Sequence, residues 1–204
     1  MSARTVYPPL RGDAGIYRVW IVGNSGAGKS TLAAELAAVL GVPFVALDTL
    51  FWDPGWEKAP RDVFAARVQR ALDAAPRGWV LDGNYDRRLG GLVREQATDV
   101  IWLDPPLLLY FPRIFVRTLG CLLGVVPPCS PGCPEQWTRT FFSRKSILWW
   151  CLSQHWPARK REQERFRLEG IHVGGKMRRI GGWGRELSEW KLAVEAMILS
   201  TRAT

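Results

Sequence analysis

The sequence predicts an α/β domain whose parallel sheet is covered by helices on both faces. Three observations carry this. Short apolar strands alternate with helical segments along residues 17–103. Those strands are continuous apolar runs, as expected when both faces of a sheet are buried. A glycine-rich loop joins the first strand to the first helix, Gly23-Asn-Ser-Gly-Ala-Gly-Lys-Ser-Thr31.

Residues 1–16, rich in Pro, Gly and Arg, read as a loose N-terminal arm, with 17–204 as the domain proper. Tyr17–Val22 is the first strand. Ser30–Leu40 consists of strong helix formers, with Leu32, Leu36 and Val39/Leu40 on one face and Gly41 placed to end it. Val42–Leu47 reads as a buried strand. Residues 62–75 form an amphipathic helix with Val63, Phe64, Val68 and Leu72 inward. Trp79–Leu81 and Val100–Leu103 are further strands, and Met177–Ile180 a weaker one before a last helix over 184–199. Residues 120–138 read as a Pro-, Gly- and Cys-rich loop, and 143–168 as a basic helix.

Composition narrows the class. With 47% hydrophobic and 23% charged residues in 204, the chain is globular rather than disordered. The most apolar stretch, Val100–Val126, is broken by Asp104, Arg113 and Arg117, which argues against a transmembrane span. No secretion signal is recognisable, so the reducing cytoplasm is the expected compartment. Cys121, Cys129, Cys133 and Cys151 are too few and too irregular for a disulfide framework. With His155 and His172 they also lack the spacing of a structural zinc site, and neither histidine joins a recognisable catalytic constellation.

The net charge of +9 is confined to one segment. Residues 139–185 hold 12 Lys or Arg against three acids, and the remainder of the chain is neutral. Such a segment suits a polyphosphate, a nucleic acid or an anionic membrane.

The loop fits G-x-x-x-x-G-K-[ST] at Gly23, Gly28, Lys29 and Ser30, with a strand before it and a helix after it. In such a loop, backbone N–H groups of Asn24, Ser25, Gly26, Ala27 and Thr31 surround a phosphate, helped by the partial positive charge of the following helix. Lys29 reaches the β- and γ-phosphates, and the Ser30 hydroxyl binds Mg²⁺. Asp82 ends the strand Trp79–Leu81 on the edge where open parallel sheets bind ligands, a position suited to holding Mg²⁺. Asp48 ends the preceding strand on the same edge, where it can orient or deprotonate an acceptor hydroxyl. Trp52 and Trp56 flank a Pro-Gly turn near that acceptor region and are candidates for stacking on a flat or sugar-like substrate.

The segments GNSGAGKST (23–31), LDTLFWDPGW (47–56), WVLDGNY (79–85), ATDVIWLDPP (97–106) and FFSRKSILWW (141–150) resemble the P-loop small-molecule kinases related to adenylate kinase. The subgroup they most resemble is that of the DNA topology modulation (FlaR-like) proteins. The resemblance spans roughly residues 18–190. It implies a three-layer P-loop NTPase fold with a five-stranded parallel sheet, like the nucleoside monophosphate kinases. It also implies a helical, basic lid at about 118–168, with ATP and Mg²⁺ as cofactors. Arg113 and Arg117, seven and eleven residues after Pro106, stand where that family carries two lid arginines, one beside the adenine and one beside the phosphates. Pro112 interrupts their helix, predicting a kink or a start there. Arg94 stands where the family often has a substrate-phosphate arginine. Asp86 replaces a family arginine, and the 51–56 segment is unlike an AMP pocket.

The implied function is transfer of the γ-phosphoryl group of MgATP to a small-molecule acceptor. Arg159, Arg161 and Arg165 are candidates for closing over the phosphates, and Trp149, Trp150 and Trp156 for packing the lid helix. Two alternatives stay open. One is a nucleic-acid-associated NTPase using the basic segment. The other is a non-catalytic nucleotide sensor or peripheral membrane partner docking through the apolar stretch 107–126.

Overall fold

The computed structural model describes residues 7–126, 130, 132–133 and 146–203. Five parallel strands form the main sheet: β1 (Tyr17–Gly23), β2 (Phe44–Ala46), β5 (Gly78–Asp82), β6 (Asp99–Asp104) and β7 (Met177–Gly181). Their spatial order is β2-β5-β1-β6-β7. The order reverses around β1, so the loop leaving β1 opens into the crevice that binds ligands in open α/β sheets. Two short strands, β3 (Trp52–Asp53) and β4 (Glu57–Lys58), form a separate antiparallel hairpin.

Alternate residues of each strand feed two cores. Trp20, Val22, Leu81, Val100, Trp102 and Met177 face one layer. That layer contains α2 (Leu47–Phe51), α3 (Arg61–Asp73), α4 (Asp86–Leu89) and α5 (Leu92–Gln96). Val19, Ile21, Val80, Ile101, Leu103 and Ile180 face the other, built from α1 (Lys29–Leu40) and α8 (Arg185–Ala203). Between β6 and β7 run α6 (Leu107–Leu122) and the long α7 (Ile147–Glu169), whose Phe166 packs on the first core. The α/β class and the five-stranded parallel sheet are as expected.

The helix α1 ends where glycine was expected to end it. Gly41 is left-handed, with φ 69°, and donates its N–H to Ala37 and Ala38 carbonyls. The stripe of α3 is narrower than expected: Phe64, Val68 and Leu72 are buried, while Val63 is 37% exposed. A helix turns 100° per residue, so Val63 cannot share the i, i+4, i+8 line of its neighbour.

Four readings need correction. The second strand ends at Ala46 and lies on the sheet edge, with Phe44 exposed, so it is not buried on all sides. Leu47 starts a helix instead, and Asp48 sits in the first turn of α2. Helix α6 runs through Pro112 rather than starting there. Within α7, Trp149 and Trp156 are exposed and pack nothing inward, while Trp156 meets His155 edge-on at 4.7 Å.

Residues 7–16 are packed rather than loose. Leu10 joins the core, and the N–H groups of Arg11 and Gly12 donate to the Asp99 carboxylate at 2.7 and 3.0 Å. The Trp190 indole donates to the Pro9 carbonyl at 2.9 Å. Among the described residues, no helix is long and apolar enough to cross a membrane. Cys129, Arg139, Arg144 and Lys145 lie outside the described residues.

Candidate phosphate-binding site

The loop between β1 and α1 is held by partners far away in sequence. Asn84 clasps Gly23 from both sides: its Oδ1 accepts from the Gly23 N–H at 3.1 Å, and its Nδ2 donates to the Gly23 carbonyl at 2.6 Å. Asn24 Nδ2 donates to the Tyr110 hydroxyl at 2.8 Å and to the Cys151 carbonyl at 3.2 Å. Asn24 Oδ1 accepts from the Ser25 N–H at 2.8 Å. The Tyr110 hydroxyl also meets His155 Nδ1 at 2.5 Å. Helices α6 and α7 are thereby tied directly to the loop.

Glycine is required at two places. A Cβ on Gly23 would lie 2.5 Å from the Leu103 carbonyl oxygen, with φ at 149°. Gly28, with φ 93°, caps α1 and faces open space, leaving the helix N-terminus uncovered. Thr31, on the first turn, is exposed.

Lys29 folds across the loop and donates from Nζ to the Asn24 carbonyl at 3.0 Å. The Ser30 hydroxyl donates to Asp82 Oδ2 at 2.5 Å. Asp82 is 5% exposed, held at the end of β5, with the following Gly83 carbonyl accepting from the Trp20 indole at 2.9 Å. Burial lowers the Lys29 ammonium below its ordinary pKa, against the pull of Asp82 and Asp48, and Arg117 lowers it further. Burial raises the Asp82 carboxyl, opposed by the Ser30 hydrogen bond and Lys29, while Asp48 adds to the rise. One cation, two carboxylates and a hydroxyl therefore share one electrostatic unit. A hydroxyl and a carboxylate in contact beside an open helix N-terminus form an oxygen donor set of the kind Mg²⁺ takes.

The other expected residues divide. Asp48 is exposed and accepts from the Tyr85 hydroxyl at 2.5 Å. Trp52 and Trp56 contact each other edge-to-face at 5.4 Å across the β3–β4 turn, and Trp56 holds a left-handed φ of 65°. Cys133 donates to the Asp53 carbonyl of this hairpin, and Ser130 to the Asp48 carbonyl of α2. Arg117 lowers the Lys29 pKa and opposes the rise at Cys151, whereas Arg113 is exposed and makes no hydrogen bond or ion pair with a described residue.

Arg94 lies elsewhere. Its guanidinium pairs with Glu169 and, at 3.7 Å, with Asp86, and lies 5.2 Å over the Trp20 ring. The lid candidates are likewise engaged inside the fold. Arg159 pairs with Asp104, Arg161 with Glu162, and Arg165 with Glu162 and Asp86. Lys176 and Arg178 donate to backbone carbonyls, and Arg179 shares Asp104. Much of the basic segment thus offsets carboxylates and carbonyls of this chain.

Sequence reasoning gave no role to Asn84, Tyr85, Tyr110, His155 or Cys151. The first two stand in WVLDGNY beside Asp82, a local signal. The others are 86 to 127 residues from Asn24 or 45 from each other, and no spacing announces them. Burial raises the Tyr110 phenol to about 12 and the Cys151 thiol to about 11. His155 is lowered by burial and Arg159, against Asp104. Among the described residues no three His, Cys, Asp or Glu side chains gather into a metal-ligating group.

The sheet order and the loop at its switch point give a five-stranded parallel α/β fold, which the chain shares with solved small-molecule kinases. The chain superimposes on a gluconokinase from Sinorhizobium meliloti with a TM-score of 0.50 at 16% identity, covering 91% of this chain and 93% of that one. A shikimate kinase from Bacteroides thetaiotaomicron aligns over 91% of this chain and 98% of its own, with a TM-score of 0.47 and 13% identity. In sequence, a tRNA dimethylallyltransferase from Acidithiobacillus ferrooxidans is 27% identical over 158 residues, 74% of this chain. The match spans 42% of that protein's length. No family model matches the chain.

Proposed function

We propose that this chain is an ATP-dependent phosphotransferase that moves the γ-phosphoryl group of MgATP to a hydroxyl of a small acceptor. The observation that carries the reading is the Ser30–Asp82 contact at 2.5 Å beside Lys29, at the mouth of a glycine loop capped by α1. Phosphoryl transfer requires mainly positioning and charge neutralisation, and this group supplies both. Bound Mg²⁺ would neutralise phosphate charge, held by Ser30 and Asp82. The N–H groups of residues 24–31 bind the phosphate oxygens, and Lys29 exchanges its Asn24 carbonyl for phosphate. Arg117 adds positive charge from α6, and Arg113 completes the pair from the same helix, with α6 and α7 serving as the lid.

Asp48, oriented by Tyr85, receives or aligns the acceptor hydroxyl. The Trp52–Trp56 hairpin forms the acceptor wall, and the left-handed backbone at Trp56 is the kind of local strain kept at functional positions. Arg94 is engaged with Glu169 and Asp86, and would have to leave those partners to hold a substrate phosphate. A cytoplasmic location fits an enzyme that draws on cellular ATP.

The DNA-associated reading needs a run of free cations along α7 and β7, and Arg161 and Arg165 are paired with Glu162 and Asp86, while Arg159 and Arg179 share Asp104. An acceptor panel coupled to ADP release tests the proposal, beginning with gluconate, shikimate and nucleoside monophosphates. Turnover with one acceptor, lost in Lys29→Ala, supports it. Absence of both nucleotide binding and turnover, with Lys29→Ala indistinguishable from wild type, refutes it.

A further inference from the structure

A cavity lies between α7 and the β6–β7 pair, next to a smaller one that reaches Gly23 and Asn24 and shares Trp102, Asp104 and Arg159 with it. Its volume is about 210 Å³. Trp102 and Phe166 form its apolar walls, and Arg159, Arg167, Arg179, Asp104 and His172 its polar ones. None of residues 23–31, Asp48 or Asp82 lines it.

Its charge is unbalanced. Arg159 and Arg179 share the single carboxylate of Asp104, which is 6% exposed, at 3.0 and 2.7 Å. Arg167 adds a third guanidinium, paired only loosely with Glu164 at 3.5 Å on the exposed face of α7. Both Nη groups of Arg159 make no hydrogen bond to a described residue, because only its Nε serves Asp104. The Arg179 guanidinium also lies 5.4 Å over the Trp102 ring, and the His172 ring meets Phe166 at a tilt, with centroids 4.7 Å apart. Three guanidiniums against Asp104 and the exposed Glu164 leave an excess of positive charge between aromatic walls. Guanidinium N–H pairs fit the oxygens of a carboxylate or phosphate, and the rings offer contact to a flat body.

We propose that this cavity binds a small organic anion: a carboxylate or phosphate monoester carried on a single ring. Size sets the limit, because pockets for drug-sized ligands usually run from about 300 Å³ upward. The site stands whether or not the phosphotransferase reading holds, since it uses neither the loop nor the acceptor hairpin.

Titration calorimetry with phenyl phosphate as probe and phenol as its uncharged counterpart tests it. Phenyl phosphate is expected to bind wild type and Lys29→Ala alike, with phenol giving no heat. Arg167→Gln and Arg179→Gln should each weaken phenyl phosphate about tenfold, the cost of one charge-assisted contact. Arg167 is exposed, so its substitution leaves folding intact if Arg179→Gln proves unstable. The proposal is overturned if phenyl phosphate fails to bind at millimolar concentration, or if phenol matches it. It is equally overturned if binding disappears in Lys29→Ala and survives both arginine substitutions, which would place the anion in the loop.

Discussion

Replacing Asp82 with asparagine should stabilise the ligand-free protein while weakening its hold on magnesium-nucleotide. The carboxylate is 5% exposed and accepts a 2.5 Å hydrogen bond from Ser30. Burial nevertheless raises its pKa above 3.8, so desolvation outweighs the help of Ser30 and Lys29. A carboxyl raised on folding binds its proton more tightly in the folded chain. Stability therefore falls as pH rises from about 3.8 through the raised folded value, and the ionised group is a net cost at neutrality. Asparagine keeps the shape and the acceptor. It exchanges a charge-assisted bond of about 1.5–3 kcal/mol for a neutral one of about 0.5–1.5. That loss is smaller than the desolvation it removes, and the net gain stays under about 2 kcal/mol. For a chain of this size, about 2–4 °C accompanies each kcal/mol, so the melting temperature at pH 7 should rise by a few degrees. Affinity for a Mg²⁺-bound non-hydrolysable ATP analogue should fall about 10- to 100-fold in the same variant. Paired melting curves and titrations read both effects. A melting temperature lowered by more than about 5 °C, with unchanged magnesium-nucleotide affinity, would show that Asp82 serves the fold and not the site.

Three further outcomes follow from the same geometry. Lys29→Met should reduce nucleotide affinity by roughly 100-fold without lowering the melting temperature, because burial already disfavours the ammonium; titration and melting of one sample check this. His155 is lowered on folding, so stability should decline as pH falls from about 6.5 through its folded value, and His155→Gln should flatten that part of a melting-temperature profile. Gly26→Ala places a Cβ 3.0 Å from the Tyr110 carbonyl oxygen and 3.1 Å from Ile114 Cβ at φ 80°, and should cost about 1–3 kcal/mol in denaturant unfolding.

The placement of several candidate residues was legible because their signals are local. The nine residues 23–31 specify a turn that needs glycine's backbone freedom, followed by a helix N-terminus. Asp82 was legible as the first charge after a buried apolar run. Asp48 was placed on the right side of the sheet but on the wrong element. The apolar run 42–47 crosses from strand to helix at Leu47, and hydrophobicity does not mark that change. Trp149 and Trp156 were assigned inward on hydrophobicity, yet large apolar residues also occupy surfaces. The basic segment misled for a related reason. Counting charges measures excess, and the carboxylates that face Arg159 and Arg165 lie 55 and 79 residues away.

The amino-acid order alone settled the layered α/β class, the glycine loop between the first strand and helix and the acidic strand end, since each rests on neighbours within one turn or one strand. Folding settled the partners. Asn84 reaches Gly23, Tyr110 and Cys151 reach Asn24, and Asp86 and Asp104 pair with Arg165 and Arg159 of the basic segment. A hydrogen bond or ion pair depends on two atoms meeting in space at about 3 Å. That meeting follows from sheet order and helix packing, which no short stretch of chain encodes.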